Sequence, residues 1–194
     1  MNLFYEEYPT AVSVKGKEVP IITDFREYVK LIDMLKAEEP SSYEKMEFLL
    51  QYFIEPPEDF ETAVEALTRF VTMEDFDNPG AEVSDAVGQE EFGGDEPQKD
   101  VYSFEIDYPF ILSGFLQDYG INIRTIPYMH WWEFRMLFSG LSEKTEIKQR
   151  IMYRSIDTSK IKDKDERRRI EKIQRSIRLP DAVLTDYDIG NSFM

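Results

Sequence analysis

The chain has 194 residues, of which 42% are apolar and 14% aromatic, so it can form a hydrophobic core. It contains no cysteine, which excludes disulfides, thiolate metal sites and cysteine nucleophiles. Its formal net charge of −16 disfavours generic binding to nucleic acid or to anionic membranes. The longest strongly apolar stretch, residues 108–116, is shorter than the roughly 20 residues that span a bilayer, and the N-terminus lacks a secretory signal. We therefore expect a cytoplasmic protein.

Residues 1–73 are predicted to form a small α+β unit. Val12 and Val14 alternate with polar residues, Lys15–Lys17 supplies a turn, and Pro20 confines the returning strand to a sheet edge, as in a β-hairpin. Thr23 and Asp24 then offer N-caps to a first helix. The apolar face of this helix consists of Phe25, Tyr28, Val29, Ile32 and Leu35.

Two more helices are predicted before residue 74. Ser41–Glu44 has the spacing of a capping box and introduces the second helix, which ends before Pro56 and Pro57. We expect five of its side chains to face inward: Tyr43, Met46, Leu49, Leu50 and Phe53. The third helix carries an apolar stripe of Phe60, Val64, Leu67, Phe70 and Val71.

Residues 74–100 differ from the rest of the chain in composition. They contain ten acidic residues and one lysine, a net charge of −9, together with four glycines and two prolines. Such a segment cannot bury enough apolar surface to fold by itself. We predict a flexible acidic linker between two structured parts.

Residues 101–178 are predicted to form a second, aromatic-rich helical unit. Residues 101–106 alternate in polarity and are predicted to be extended, and Asp107 is predicted to cap a helix with Pro109 in its first turn. Gly120 ends that helix. Another helix is predicted over residues 128–138, and residues 179–194 look like an irregular tail.

The aromatic residues of this second unit are predicted to pack in a core. Neighbouring tryptophans on a helix point about 100° apart, so one of the pair could instead lie at a rim or contact a partner. The predicted aromatic core consists of Phe115, Trp131, Trp132, Phe134 and Phe138. His130 is the single histidine, so it has no partners for a catalytic triad or a polyhistidine metal site, and we interpret it as structural. We expect no enzymatic activity, no metal and no cofactor.

A basic helix is predicted near the C-terminus, from residue 163 to residue 177. Residues 143–178 contain thirteen basic and seven acidic residues, a net charge of +6. The helix carries a narrow apolar seam of isoleucines beside three consecutive arginines, and two interpretations stay open: a solvated helix with internal ion pairs, or a surface that binds an acidic partner. The candidate partner-binding residues are Arg167, Arg168, Arg169, Ile170, Ile173 and Ile177.

Three segments of the chain resemble the bacteriophage gene-product-fifteen family. They are residues 107–122, which end in a Tyr-Gly-Ile motif, residues 129–141, which contain His-Trp-Trp and end in Gly-Leu, and residues 151–157, which contain Tyr-Arg before the basic helix. The hairpin followed by Asp24-Phe25-Arg26 is also similar. The resemblance covers most of residues 8–178 and implies a mainly helical fold with α+β structure at the N-terminus.

The resemblance implies a tail assembly chaperone of long-tailed phages, acting in the host cell cytoplasm. Such a protein would bind the tape-measure protein and assist polymerisation of the tail-tube protein, with self-association as a further expectation. The family implies no catalytic residues. Two alternatives remain: a structural virion protein of the tail or neck, and a regulatory protein whose basic helix binds nucleic acid, which the acidic charge disfavours.

Overall fold

The computed structural model describes residues 3–37, 39–74 and 101–179. Its described part is mainly helical, with a small two-stranded antiparallel hairpin near the N-terminus, which confirms the predicted fold class. The described residues divide into two compact units. The first contains residues up to 74 together with 130–132, and the second contains residues 101–129 and 133–179.

The first unit begins with the predicted hairpin. Strand β1 is Ala11–Val14 and strand β2 is Lys17–Pro20, with Val12 opposite Val19. The turn places Lys15 at φ 50° and Gly16 at φ 79°. Two consecutive positive φ angles make the tight turn that matches the twist of a hairpin, and glycine adopts this conformation without steric cost.

The described part of the first unit also contains three helices: α1 is Phe25–Lys36, α2 is Ser42–Leu50 and α3 is Phe60–Thr72. The side chain of Asp24 caps α1 by accepting from the Arg26 backbone N–H at 2.9 Å. Ser41 and Glu44 form the predicted capping box at the start of α2. Tyr28 of α1 lies at the centre of the core, against Tyr52, Phe70 and Trp131.

The prediction that all five apolar side chains of the second helix face inward was wrong for two of them. Leu49 and Phe53 are buried, whereas Tyr43 is 62% exposed and Leu50 is 38% exposed. The reason is geometric, because Leu49 and Leu50 are adjacent and point about 100° apart on a helix. Because Leu49 lies in the core, Leu50 turns outward. Tyr43 lies two helical turns before Leu50 on the same face and turns outward with it.

The second unit contains α4 (Phe104–Tyr119), most of α5 (Trp131–Ser139), α6 (Glu146–Ser155), a 3₁₀ turn (Thr158–Lys160) and α7 (Lys164–Ser176). Helix α4 packs against α6, and α6 packs against α7. Gly120 ends α4 at φ 67°, as expected for a left-handed C-cap.

Helix α4 begins four residues earlier than the sequence predicted. Ser103 is its N-cap, with its hydroxyl accepting from the Ile106 backbone N–H at 3.3 Å, so residues 104–106 are helical rather than extended. Asp107 is therefore not the cap. Its carboxylate is fully buried and binds Arg154 instead, and Pro109 lies inside the helix.

Helix α5 begins at Trp131, three residues after the predicted start. The imidazole of His130 accepts from the Trp132 backbone N–H at 3.1 Å and so takes the place of an N-cap side chain. The predicted acidic linker, apart from Glu74, and the predicted tail after residue 179 lie outside the described residues. The predicted division of the chain into four segments accordingly stays a prediction.

Candidate partner-binding surface

Helix α7 is fixed to its own unit by hydrogen bonds from two side chains. Gln174 donates from Nε2 to the carbonyl oxygens of Tyr153 and Ile156 at 2.9 and 2.8 Å. Arg154 donates from Nε to the carbonyl oxygen of Ile177 at 2.7 Å, which holds the last turn. The helix is therefore an ordered element with one defined outward face.

The six predicted partner-binding residues of α7 lie in different environments. Ile170, Ile173 and Ile177 are half-buried, on the side of the helix that also carries Gln174. Arg167 is half-buried too, and its guanidinium donates to the carbonyl oxygen of Ile161. Arg168 and Arg169 are exposed. The three consecutive arginines thus diverge around the helix, and the seam faces the unit that carries it.

The outward face of α7 carries a row of four basic side chains, of which only Arg168 was among the predicted partner-binding residues. Lys164, Arg168, Lys172 and Arg175 are spaced by four, four and three residues and are all exposed. This spacing aligns them on one face over about 16 Å. We call these four residues the cationic stripe. Helical periodicity applied to the charged residues, rather than to the isoleucines, could have found it.

Two acidic residues on the same helix only partly offset this charge. Asp165 lies 3.9 Å from Arg168, and Glu171 lies 3.8 Å from Arg175. The two arginine side chains are 78% and 81% exposed, so water and salt screen both pairs. The arginines can therefore exchange these contacts for stronger ones to an acidic partner.

Arg154 connects three parts of the second unit through one guanidinium group. It donates to both carboxylate oxygens of Asp107, at 2.6 and 3.0 Å, and to the carbonyl oxygens of Val101 at 3.1 Å and Ile177 at 2.7 Å. Asp107 also accepts from the Ser103 backbone N–H at 3.0 Å. The pair thereby joins the start of α4, the middle of the unit and the end of α7.

The two tryptophans of the His-Trp-Trp motif cap the C-terminus of α3 in the first unit. Trp131 donates from its indole nitrogen to the carbonyl oxygen of Val71 at 3.0 Å, and Trp132 donates to that of Phe70 at 2.8 Å. The last four carbonyl groups of a helix lack partners further along the helix, and the two indole groups supply donors to two of them. The carbonyl oxygen of Phe70 also accepts from the Met73 backbone N–H at 3.3 Å. Both tryptophans are buried, so neither lies at a rim.

His130 is buried beside this pair and is held as a neutral ring. Its Nδ1 accepts from Trp132, its Nε2 lies 3.0 Å from the carbonyl oxygen of Pro9, and its ring stacks on Tyr8 at 4.6 Å. A proton on Nε2 alone satisfies both contacts. Burial lowers the pKa of His130 below 6.5, while the bond to Pro9 acts in the opposite direction. The ring has a positioning role in this arrangement.

The remaining predicted aromatic residues form the core of the second unit. Phe115 and Phe134 stack with their ring centres 5.3 Å apart, and Phe134 stacks on Phe138 at 6.0 Å. All three are buried. Stacked rings of this kind stabilise a core beyond the area they bury.

Within residues 3–37, 39–74 and 101–179, no three His, Asp or Glu side chains lie close enough together to hold a metal ion. Over the same residues, no helix is both long and apolar enough to cross a membrane.

The family model described as Bacteriophage Gp15 protein matches residues 4–179. The chain belongs to the Gp15 family. No curated protein and no solved structure matches it.

The structure gives physical roles to the motifs in this Gp15 protein that carried the resemblance. The Tyr-Arg motif supplies Arg154, the segment beginning at residue 107 supplies its partner Asp107, and the His-Trp-Trp block caps α3. All of these contacts join residues that are distant in sequence. The sequence of a single chain does not show that Asp107 and Arg154 form a pair, so this ion pair was not predicted.

Proposed function

We propose that this bacteriophage protein is a non-enzymatic tail assembly chaperone. It acts in the host cytoplasm, binds the tape-measure protein and assists polymerisation of the tail-tube protein. Membership of the Gp15 family supports a phage role in general terms, and the cationic stripe on α7 carries the more specific proposal.

The cationic stripe supports this proposal because it is ordered before any partner arrives. Gln174 and Arg154 already hold α7 in place, so binding does not have to order the helix. Four basic side chains over about 16 Å fit a row of acidic side chains on a partner helix. The stripe would orient such a partner and accelerate its encounter at low salt.

The weak, salt-sensitive ion pairs that the cationic stripe can form support a chaperone role over permanent incorporation. Exposed ion pairs contribute about 0.2–1 kcal/mol each and weaken with salt, so a surface built from them releases its partner readily. A permanent subunit interface is usually larger and more apolar. The cationic stripe consists of exposed charges and so resembles the readily released kind of surface.

Binding to nucleic acid is a second candidate, because phosphates also pair with a row of lysines and arginines. The net charge of −16 opposes it. Titration of labelled duplex DNA at several salt concentrations distinguishes the two. A steep salt dependence that Arg168→Glu flattens would favour nucleic acid, and no binding at 50 mM salt would exclude that role.

The experiment that tests the chaperone proposal uses the phage that encodes this chain. We expect a phage lacking the gene to produce filled heads without normal tails, as seen by electron microscopy of lysates. We also expect the protein to be absent from purified wild-type virions by mass spectrometry. Recovery in virions at a fixed ratio to the tail-tube protein would instead make it a structural component.

A further inference from the structure

Helix α2 presents an exposed apolar row on its outer side. Tyr43, Met46 and Leu50 follow the i, i+3, i+7 spacing that places side chains on one helical face. Tyr43 is 62% exposed, Met46 is partly exposed and Leu50 is 38% exposed. We call these three residues the α2 stripe. Ile54, which is 67% exposed, extends it just beyond the helix end.

The charged side chains that border the α2 stripe are acidic. Glu44 and Glu47 lie beside it on the helix, and Glu55 follows Ile54. Lys45, the single base of this helix, turns away and donates from Nζ to the carbonyl oxygen of Leu35 at 2.9 Å. A ligand of this surface must therefore combine apolar side chains with positive charge.

The exposure of the α2 stripe does not arise from a frayed helix. Ser41 and Glu44 close the first turn with reciprocal hydrogen bonds of 2.8 and 3.3 Å. About 100° around the helix from Leu50, Leu49 is buried, which fixes the rotation of the helix. The outward apolar row therefore belongs to a capped and packed helix, and exposed apolar side chains grouped in this way mark interaction surfaces.

We propose that the α2 stripe is the docking surface for a basic amphipathic helix of a client protein. The client helix lays its apolar side chains along Tyr43, Met46 and Leu50, and its lysines or arginines reach Glu44, Glu47 and Glu55. The proposal rests on the chaperone function and adds the chemistry of the bound segment. It differs from the cationic stripe, which takes an acidic partner.

Two labelled peptides test the proposal with the full chain. The first is a 21-residue helical peptide with leucine at the core positions of three heptads and lysine on its flanks. The second replaces every lysine by glutamate. Fluorescence anisotropy should show the lysine peptide binding at least tenfold more tightly than the glutamate peptide, because only the first pairs with the acidic border.

Matched variants separate docking on the α2 stripe from general attraction to an acidic protein. We expect Tyr43→Ala with Leu50→Ala to weaken the lysine peptide at least tenfold, while Tyr108→Ala with Leu116→Ala, two exposed apolar residues of the second unit, leaves its affinity unchanged. We expect Glu47→Lys to weaken binding more than Glu65→Lys, which makes the same charge change at an exposed position of α3. Thermal unfolding identifies any variant that is not folded. If the double variant is not folded, the affinities of the single variants Tyr43→Ala and Glu47→Lys are compared instead.

Three results would overturn the proposal. They are no binding of the lysine peptide, equal effects of Glu47→Lys and Glu65→Lys, and unchanged affinity after the α2 substitutions. None of them bears on whether the chain keeps the tape-measure protein in solution, which is measured separately. Failure of this inference is therefore distinguishable from failure of the proposed function.

Discussion

Arg154 binds the buried carboxylate of Asp107, 47 residues earlier in the chain, through two hydrogen bonds of 2.6 and 3.0 Å. The Asp107 side chain is fully buried and that of Arg154 is 7% exposed. Two charges withdrawn from water in this way are tolerated when every polar atom finds a partner, and here the guanidinium also bonds two backbone carbonyl groups. The pair therefore fixes how α4, α6 and α7 meet.

Removing one member of the Arg154–Asp107 pair should destabilise the second unit strongly. We expect Asp107→Asn or Arg154→Lys to lower the free energy of unfolding by about 3–5 kcal/mol, because each leaves a buried charge without a matching fork of donors or acceptors. Urea denaturation followed by circular dichroism measures this. Arg168→Lys on the exposed face of α7 is the control and should change it by less than about 0.5 kcal/mol. Similar effects of the control and of Arg154→Lys would refute the assignment.

The indole N–H groups of Trp131 and Trp132 should contribute to stability separately from their ring volume. We predict that each Trp→Phe substitution costs about 1–3 kcal/mol, since it removes the indole donor from a carbonyl group near the end of α3. Truncation to alanine should cost about 3–5 kcal/mol because it also leaves a cavity. Denaturant titration of the two series gives both values. Phenylalanine variants as stable as the wild type would show that the capping bonds contribute nothing.

Protonation of His130 should destabilise the first unit at acidic pH. Burial lowers its pKa in the folded chain below 6.5, so the unfolded state takes up the proton first. Its contribution to stability is therefore full above about pH 6.5 and is lost as the pH falls from there towards the lower folded pKa. We expect the unfolding temperature to fall more between pH 8 and pH 5 in the wild type than in His130→Asn, whose amide can still accept from Trp132. Equal pH profiles for the two proteins would contradict this.

Charge reversal in the cationic stripe should weaken partner binding in a salt-dependent way. We expect Arg168→Glu with Lys172→Glu to reduce recovery of the tape-measure protein with the tagged chain roughly tenfold at 100 mM salt, since two attractions become repulsions. Raising the salt to 500 mM should remove most of the difference. Lys160→Glu with Lys162→Glu makes the same charge change at exposed positions before α7 and serves as the control. Equal loss with both pairs would point to net charge rather than to the stripe.

The sequence predicted those turns and helix ends that depend on residues close together in the chain. The Lys15–Gly16 turn, the Asp24 cap, the Ser41–Glu44 capping box and the Gly120 C-cap all lie where they were expected. Each is a contact between residues no more than a few positions apart. Such contacts can be inferred from one chain because the spacing itself carries the information.

Contacts between distant residues were the ones that a single sequence could not provide. Asp107 was assigned to a cap because aspartate often begins a helix, but its partner Arg154 lies beyond any local window. For the same reason His130 was recognised as structural without its contact to Pro9 being foreseen. In the candidate surface, three isoleucines and three consecutive arginines of α7 were predicted, and only Arg168 of these belongs to the cationic stripe on the exposed face.

The most direct test of the chaperone function is the solubility of the tape-measure protein during co-expression. The tape-measure gene of the same phage is expressed alone, with the full chain, and with an unrelated acidic protein of similar size. The fraction remaining in the supernatant after ultracentrifugation is then measured. A chaperone should raise this fraction several-fold and migrate with the tape-measure protein on size exclusion, and the unrelated protein should do neither. An unchanged fraction, with no complex on the column, would contradict the proposed function.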